Sequence, residues 1–297
     1  MEKVVILTGP TGIGKTKLSL MLANKFNCEI INCDASQMKR ELNIGTGKYD
    51  TSGTNIKHHL FDIIGPTENY SIKDFKDSAK SIISEISNNN HVPMIVGGTG
   101  LYINSLLFDY DLESSERDRV FEKKYQTLSN HELHTVLEKY DLNIANMIHE
   151  NNRRRVLRAI ERIEKGEKVS LNDNQMVYDA LIIMLDAPRD VLYDRINHRV
   201  DEMIDDGWVE ECNALSSKYN TSSIKDIGYQ EIFSYLKGEL KLEEAKEVIK
   251  QKTRNYAKRQ LTWFRNKLNP IKVMVNYDNL DETFDVLSNL CFEFLNK

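Results

Sequence analysis

The chain has 297 residues, with 40 lysines and arginines against 45 aspartates and glutamates, a formal net charge of −5. At 40% hydrophobic and 29% charged residues it is neither disordered nor fibrous, and its length suits one large α/β domain with an insertion or two modest domains. The main apolar run, 180–185, is too short to cross a bilayer, and the first residues lack the pattern of a signal peptide, so a cytoplasmic protein without a membrane partner is expected.

In chain order, the pattern predicts a buried strand over 3–7, a glycine-containing turn over 9–14, and an amphipathic helix over 15–25 with Leu18, Met21 and Leu22 on its apolar face. A second strand over 29–33 ends at Asp34. A third over 92–96 runs into Gly97-Gly98-Thr99-Gly100. From Asp111 to Met176 the sequence is charged and helix-forming, without a convincing strand, which predicts a helical insertion over 113–176 between core segments 1–112 and 177–297. A fourth strand, 180–185, ends at Asp186-Ala187-Pro188; the rest is helical apart from a strand over 271–275. Short aliphatic runs alternating with helices indicate an α/β fold, a parallel sheet covered on both faces, with ligands beyond the carboxyl ends of its strands. Cys28, Cys33, Cys212 and Cys291 lack paired spacing and read as reduced packing residues.

The most specific motif is Gly9-Pro10-Thr11-Gly12-Ile13-Gly14-Lys15-Thr16, a G-x-x-x-x-G-K-[ST] sequence with the required strand before it and helix after it. Its glycines let backbone amides surround phosphate oxygens, the helix N-terminus adds positive potential, Lys15 pairs with the phosphates, and Thr16 can ligate Mg2+. The motif binds a phosphate chain without saying which molecule carries it, so an ATP-binding kinase or ATPase remains open. Asp34, on the same sheet edge, suits a carboxylate base or a magnesium holder. The Gly97–Gly100 turn lets a ligand approach the backbone, with the Thr99 hydroxyl as a donor. His58 and His59 are adjacent, and neighbours on a strand face opposite ways, so a structural or ligand-contact role is expected of them rather than a shared metal.

Two basic segments interrupt the acidic average. The first, 151–168, carries Arg153, Arg154, Arg155, Arg158, Arg162, Lys165 and Lys168. The second, 251–267, has Lys252, Arg254, Lys258, Arg259, Arg265 and Lys267, no acid, and the rings Tyr256, Trp263 and Phe264. Cations interleaved with planar rings suit single-stranded RNA or a phosphate-rich substrate. A solvated helix face is the alternative, with Trp263 and Leu261 as core.

Taken together, GPTGIGKT from Gly9, DASQ from Asp34, NIGTGK from Asn43, HHLFD from His58, GGTGLY from Gly97, RRVLRAIE from Arg154, YDRINHRVDEM from Tyr193, IGYQEI from Ile227 and TRNYAKRQLTWFR from Thr253 resemble the bacterial tRNA dimethylallyltransferases, nearly end to end. The resemblance implies a P-loop NTPase-like core with a helical insertion, and transfer of a dimethylallyl group from dimethylallyl diphosphate to the exocyclic amine of the adenine 3′ of the anticodon. It implies a monomer acting on the anticodon stem-loop of tRNA. Asp34, Lys15 and Thr99 would be catalytic, and residues 9–16 would hold the diphosphate, with Mg2+ at Thr16. Asp34, Ala35, Ser36, Gln37 and Thr99 would lie against the tRNA, as would Arg154, Arg155, Val156, Leu157 and Arg158. The chain departs from the pattern at Ala35, where a serine is usual, at Lys39, where a tyrosine is usual, and at Asn43, where an aspartate is usual.

Overall fold

The computed structural model describes residues 1–108, 119–167, 169 and 176–297. The chain divides into two compact units, Met1–Leu107 with Met176–Lys297, and Phe108–Gln175. The boundary expected at 112/113 and Lys168 of the first basic segment lie outside the described residues.

The first unit is built on β1 (Lys3–Thr8), α1 (Lys15–Phe26), β2 (Cys28–Asn32), β3 (His58–His59), α2 (Ile72–Asn88), β4 (Val92–Gly97) and α3 (Gly100–Leu107). The second contains α4 (Arg119–Lys124), α5 (Asn130–Tyr140), α6 (Leu142–Met147) and α7 (Arg153–Glu164). The chain then returns to the first unit through β5 (Asp179–Asp186), α8 (Arg189–Asp205), α9 (Trp208–Lys218), α10 (Tyr229–Leu236), α11 (Leu242–Lys267), β6 (Ile271–Met274) and α12 (Leu280–Leu295). No helix among the described residues is long and apolar enough to cross a membrane.

The six strands lie in the order β3-β2-β4-β1-β5-β6, every neighbouring pair parallel. Val5 of β1 sits between Met94 and Leu181. Val4, Val5, Ile6 and Leu7 are all inaccessible to solvent, although successive side chains face opposite ways, so both faces of the sheet are covered; that is why the strand reads as a continuous apolar run rather than an alternating one. The two residues of β3, paired with Ile30 and Ile31, are too few to leave a period in the sequence. The four cysteines are buried and free.

Local chemistry sets several helix ends. Gly14, at φ 97°, makes the left-handed turn into α1, and Asn27 closes that helix in the same conformation. Ser71 with Asp74 and Ser129 with Glu132 form capping boxes for α2 and α5. In the second unit Leu133, Leu137, Ala145, Val156 and Ile160 make a small core of their own. A larger cluster in the first unit joins α8, α9, α10 and α11 through Val200, Trp208, Tyr229, Phe233 and Ile249.

Candidate active site

The loop over 9–14 follows β1 and is held in shape by groups distant in sequence. The Thr11 amide donates to Gln260 Oε1 at 2.9 Å, Tyr277 donates its hydroxyl to the Ile13 carbonyl at 3.1 Å, and Arg195 donates to the Gly12 carbonyl at 3.3 Å. Lys15 curls back over the loop, donating to the carbonyls of Gly9 and Pro10, each at 2.9 Å. Burial lowers the Lys15 ammonium to about 8, against the pull of the Asp34 carboxylate and with a push from Arg199. The side chain is thus a charged head held in a poorly solvated place, which strengthens whatever anion it meets.

Asp34 follows β2 at the same edge of the sheet. Its amide donates to Asn32 Oδ1 at 3.0 Å, and its Oδ1 accepts the Ser36 amide at 3.1 Å. Burial raises its carboxyl above the ordinary aspartate value; Lys15, the Ser36 amide and Arg199 oppose the shift and Asp226 adds to it. A carboxylate made more basic while still facing two cations is a suitable proton acceptor.

The turn after β4 reaches Asp34 through the backbone. The Thr99 amide donates to the Cys33 carbonyl at 3.0 Å, and Thr99 Oγ1 accepts the Ala35 amide at 3.1 Å, leaving the hydroxyl proton free to donate. The turn is packed against α11: Gln260 Nε2 donates to the Gly98 carbonyl at 3.0 Å, and a Cβ on Gly98 would stand 2.3 Å from that nitrogen. A Cβ on Gly100 would collide with the Trp263 ring. Gln260, 5% exposed, therefore bridges the phosphate loop and the glycine turn with one amide.

Two cavities meet around these groups. One, of about 220 Å³, is lined by Lys15, Thr16, Asp34, Gln37, His58 and Arg199 among others. The second, of about 270 Å³, has a largely apolar wall including Ile196, Met203, Trp208 and Tyr256. Thr11, Gly12, Asp34, Thr46 and Arg199 belong to both, so Asp34 stands where a phosphate-bearing molecule and a flat apolar group could touch. Among the described residues no group of three or more His, Cys, Asp or Glu forms a metal cage. The Thr16 hydroxyl on the first cavity fits a magnesium ion held jointly with substrate phosphates, the usual manner for that ion.

The remaining predicted residues divide. Gln37 donates to the Thr46 and Gly47 carbonyls at 3.2 and 3.3 Å, fixing the Asn43–Lys48 loop over the first cavity, and the Ser36 hydroxyl is given to Asp226. His58 lines the first cavity, whereas His59 donates or accepts at Glu29; the two do point apart. Asn43 is tied to Lys48. In the second unit Arg154 and Arg155 are exposed on α7 and Leu157 and Arg158 are partly so, Arg158 being paired with Glu161 at 3.0 Å.

The structure places three parts of the two basic segments in different surroundings. Val156 has no exposed surface and packs inside the second unit, so it supports the helix and cannot itself touch RNA. Arg153 is spent on the Tyr125 and Leu128 carbonyls, each at 2.7 Å, because a guanidinium's fork satisfies several loop acceptors at once. The second basic segment is partly engaged within the fold: Lys252 pairs with Glu231, Arg254 with Asn197 and Arg265 with Asp186 at 2.7 Å, while Trp263 is the wedge against Gly100. Lys258, Arg259 and Lys267 are exposed, as are the paired Lys252 and Arg265.

Sequence reasoning missed Arg199, Asp226, Tyr256 as a cavity wall, and Gln260. Arg199 and Gln260 lay inside recognised motifs, but a single sequence does not show which arginine of YDRINHRVDEM turns inward, nor that a glutamine 249 residues from Thr11 would meet it.

The family model described as IPP transferase matches residues 37–267. Among curated proteins, a tRNA dimethylallyltransferase of Anoxybacillus flavithermus is 42% identical over 95% of this chain and 92% of its own length. One of Bacillus subtilis is 42% identical over 90% of this chain and 89% of its own. Among solved structures, the full-length tRNA isopentenylpyrophosphate transferase of Bacillus halodurans superposes with a TM-score of 0.74 at 39% identity, covering 100% of this chain and 99% of that one. A eukaryotic dimethylallyltransferase described as acting on tRNA gives 0.79 at 29% identity, covering 93% of this chain and 74% of that one.

Proposed function

The chain belongs to the IPP transferase family, and from that premise we propose how its residues divide the work of moving a dimethylallyl group from dimethylallyl diphosphate to the exocyclic amine of the adenine 3′ of the anticodon in tRNA. The observation that carries this reading is that Lys15 and Asp34 line one cavity, with Asp34 also on the wall of the second. The first cavity takes the diphosphate, and the second admits the adenine.

An adenine amine is a weak nucleophile because its lone pair is delocalised into the ring. It attacks the allylic carbon as the carbon–oxygen bond to diphosphate breaks; the bonding pair leaves with the diphosphate and the amine proton passes to Asp34. The amides of residues 12–16, Lys15, Arg199 and the Thr99 hydroxyl meet the charge that grows on the leaving group; Pro10 has no N–H, and Thr11 gives its own to Gln260. Magnesium, bound at Thr16 together with phosphate oxygens, would neutralise part of that charge. The phosphate loop thus holds a departing group, whereas a kinase would use it to transfer a phosphoryl group. The target base must leave the anticodon-loop stack at a cost of about a few kcal/mol; contacts from Asp34, Gln37 and the backbone of Ala35 and Ser36 offset it, and Arg154, Arg155, Leu157 and Arg158 of the helical insertion bind the RNA.

The test is to incubate the purified protein with Mg2+, dimethylallyl diphosphate and an anticodon stem-loop, digest the RNA and weigh its nucleosides. A gain of one dimethylallyl group on the adenine 3′ of the anticodon supports the reading. Phosphate release from ATP without any prenyl donor, or prenylation of free adenylate in preference to the stem-loop, would replace it.

A further inference from the structure

The departure at position 39 acquires a partner in the fold. Lys39 Nζ lies 2.7 Å from Asp226 Oδ2, and the other carboxylate oxygen, Oδ1, accepts the Ser36 hydroxyl at 2.6 Å. Ser36 donates its amide to Asp34 Oδ1 at 3.1 Å. Ser36 therefore bridges two carboxylates, one with its amide and one with its hydroxyl, and Lys39 supplies the countercharge for the outer one. The side chains of Lys39 and Asp226 are 18% and 11% exposed, so the pair is shielded from much of the solvent screening that makes surface ion pairs weak.

We propose that Asp226, charge-matched by Lys39, is a positioning residue for the transfer reaction, fixing the Ser36 turn so that the amide of Ser36 holds Asp34 Oδ1 and leaves Oδ2 for the acceptor amine. The geometry asks for such a device. Residue 34 stands just beyond the end of β2, its conformation set by a short turn and not by the sheet. A base must stay within hydrogen-bond reach of the proton it takes, and small misplacements are costly. Asp226 comes from the segment just before α10, whose first residue, Tyr229, is buried in the α8–α11 core, so it ties the turn that follows Asp34 to that core. Lys39 supplies the countercharge that keeps Asp226 from standing as a bare second carboxylate beside Asp34.

This inference rests on Asp34 being the base, and the experiment separates the two. Single-turnover transfer to the stem-loop is measured with RNA, dimethylallyl diphosphate and Mg2+ saturating, alongside the affinity for each substrate and the thermal midpoint, for Asp34→Asn, Ser36→Ala, Asp226→Ala, the Ser36→Ala/Asp226→Ala double variant, and the neutral pair Lys39→Met/Asp226→Asn. Ser36→Ala and Asp226→Ala should each slow transfer about tenfold with substrate affinities within about twofold, and the double variant should be no slower than the worse single one, as for residues acting through one contact. The neutral pair keeps an oxygen for the Ser36 hydroxyl without stranding a charge, and should retain the rate within about threefold. Independent, additive losses, losses confined to affinity, parental rates in Asp226→Ala, or a neutral pair as slow as Asp226→Ala would each overturn the relay while Asp34→Asn remains slow. A parental rate in Asp34→Asn would overturn the base assignment, and the relay with it.

Discussion

At the scale of single residues, the site depends on charges held where water is scarce. Lys15, lowered to about 8 chiefly by burial, offers its ammonium to an anion at little reorganisation cost, and losing one such preorganised donor typically costs about 3 kcal/mol of transition-state stabilisation. Lys15→Ala should therefore slow transfer by roughly a hundredfold or more while tRNA affinity, measured by filter binding, stays near parental. Asp34 carries the second expectation. Because its carboxyl is raised by burial, the acid limb of the single-turnover rate should lie above the ordinary aspartate range, the rate falling as pH drops and the base becomes protonated. Asp34→Asn should lower the plateau by about two to four orders of magnitude and remove that limb. Retention of the limb in the variant would assign it to another group.

At the scale of elements, one buried carboxylate ties β2 to β3 and to the start of β4. Glu29 of β2, 4% exposed, accepts from or bonds to His59 of β3 at 2.6 Å and His91 before β4 at 2.7 Å, with Lys57 3.5 Å away. Burial pushes its carboxyl up, but the His59 and His91 hydrogen bonds and the Lys57 charge outweigh this and hold it below the usual glutamate value. A carboxylate lowered in the fold contributes stability that is complete above its unfolded value and is lost as pH falls through the folded one. Denaturant unfolding from pH 7 to pH 3 should show this loss in the parent and a flatter profile in Glu29→Gln, which should also be less stable at pH 7 by about 2 kcal/mol. The two-residue β3 has few other bonds to hold it, so hydrogen exchange in residues 58–59 should rise in the same variant.

At the scale of the whole molecule, net charge and local charge part company. The chain is acidic overall at −5, yet α7 presents Arg154 and Arg155 outward, and backbone phosphates respond to local cations through counterion release. Replacing both with glutamine should weaken tRNA binding and flatten the plot of log affinity against log salt by about one to two units of slope, leaving dimethylallyl diphosphate affinity unchanged. An unaltered slope would place the RNA footprint elsewhere, with the exposed Lys258 and Arg259 the next cations to test.

The sequence by itself determined the features whose causes are local or repetitive. β1 and β5 announce themselves because parallel strands buried on both faces favour long apolar runs, and β2 and β4 by shorter apolar stretches, Ile30-Ile31 and Met94–Val96, that stop at turn-forming residues. The phosphate loop does so because wrapping a phosphate demands glycines, a lysine and a hydroxyl at fixed spacing. Asp34 and Thr99 stood out as polar residues just past strand ends, and the sheet order made those strands, β2 and β4, neighbours. Only the tertiary structure decided what depends on contacts across long stretches of chain. It placed Gln260 between Thr11 and Gly98, turned Arg199 into the cavities, and sorted the cations of two basic segments into structural clamps such as Arg153 and Arg265 and outward charges such as Arg154. It also gave Lys39 its partner in Asp226, 187 residues away. A lysine looks the same in sequence whether its charge is spent on a carboxylate or offered to a substrate, because that choice is made by which distant side chain the fold brings within about 3 Å of it.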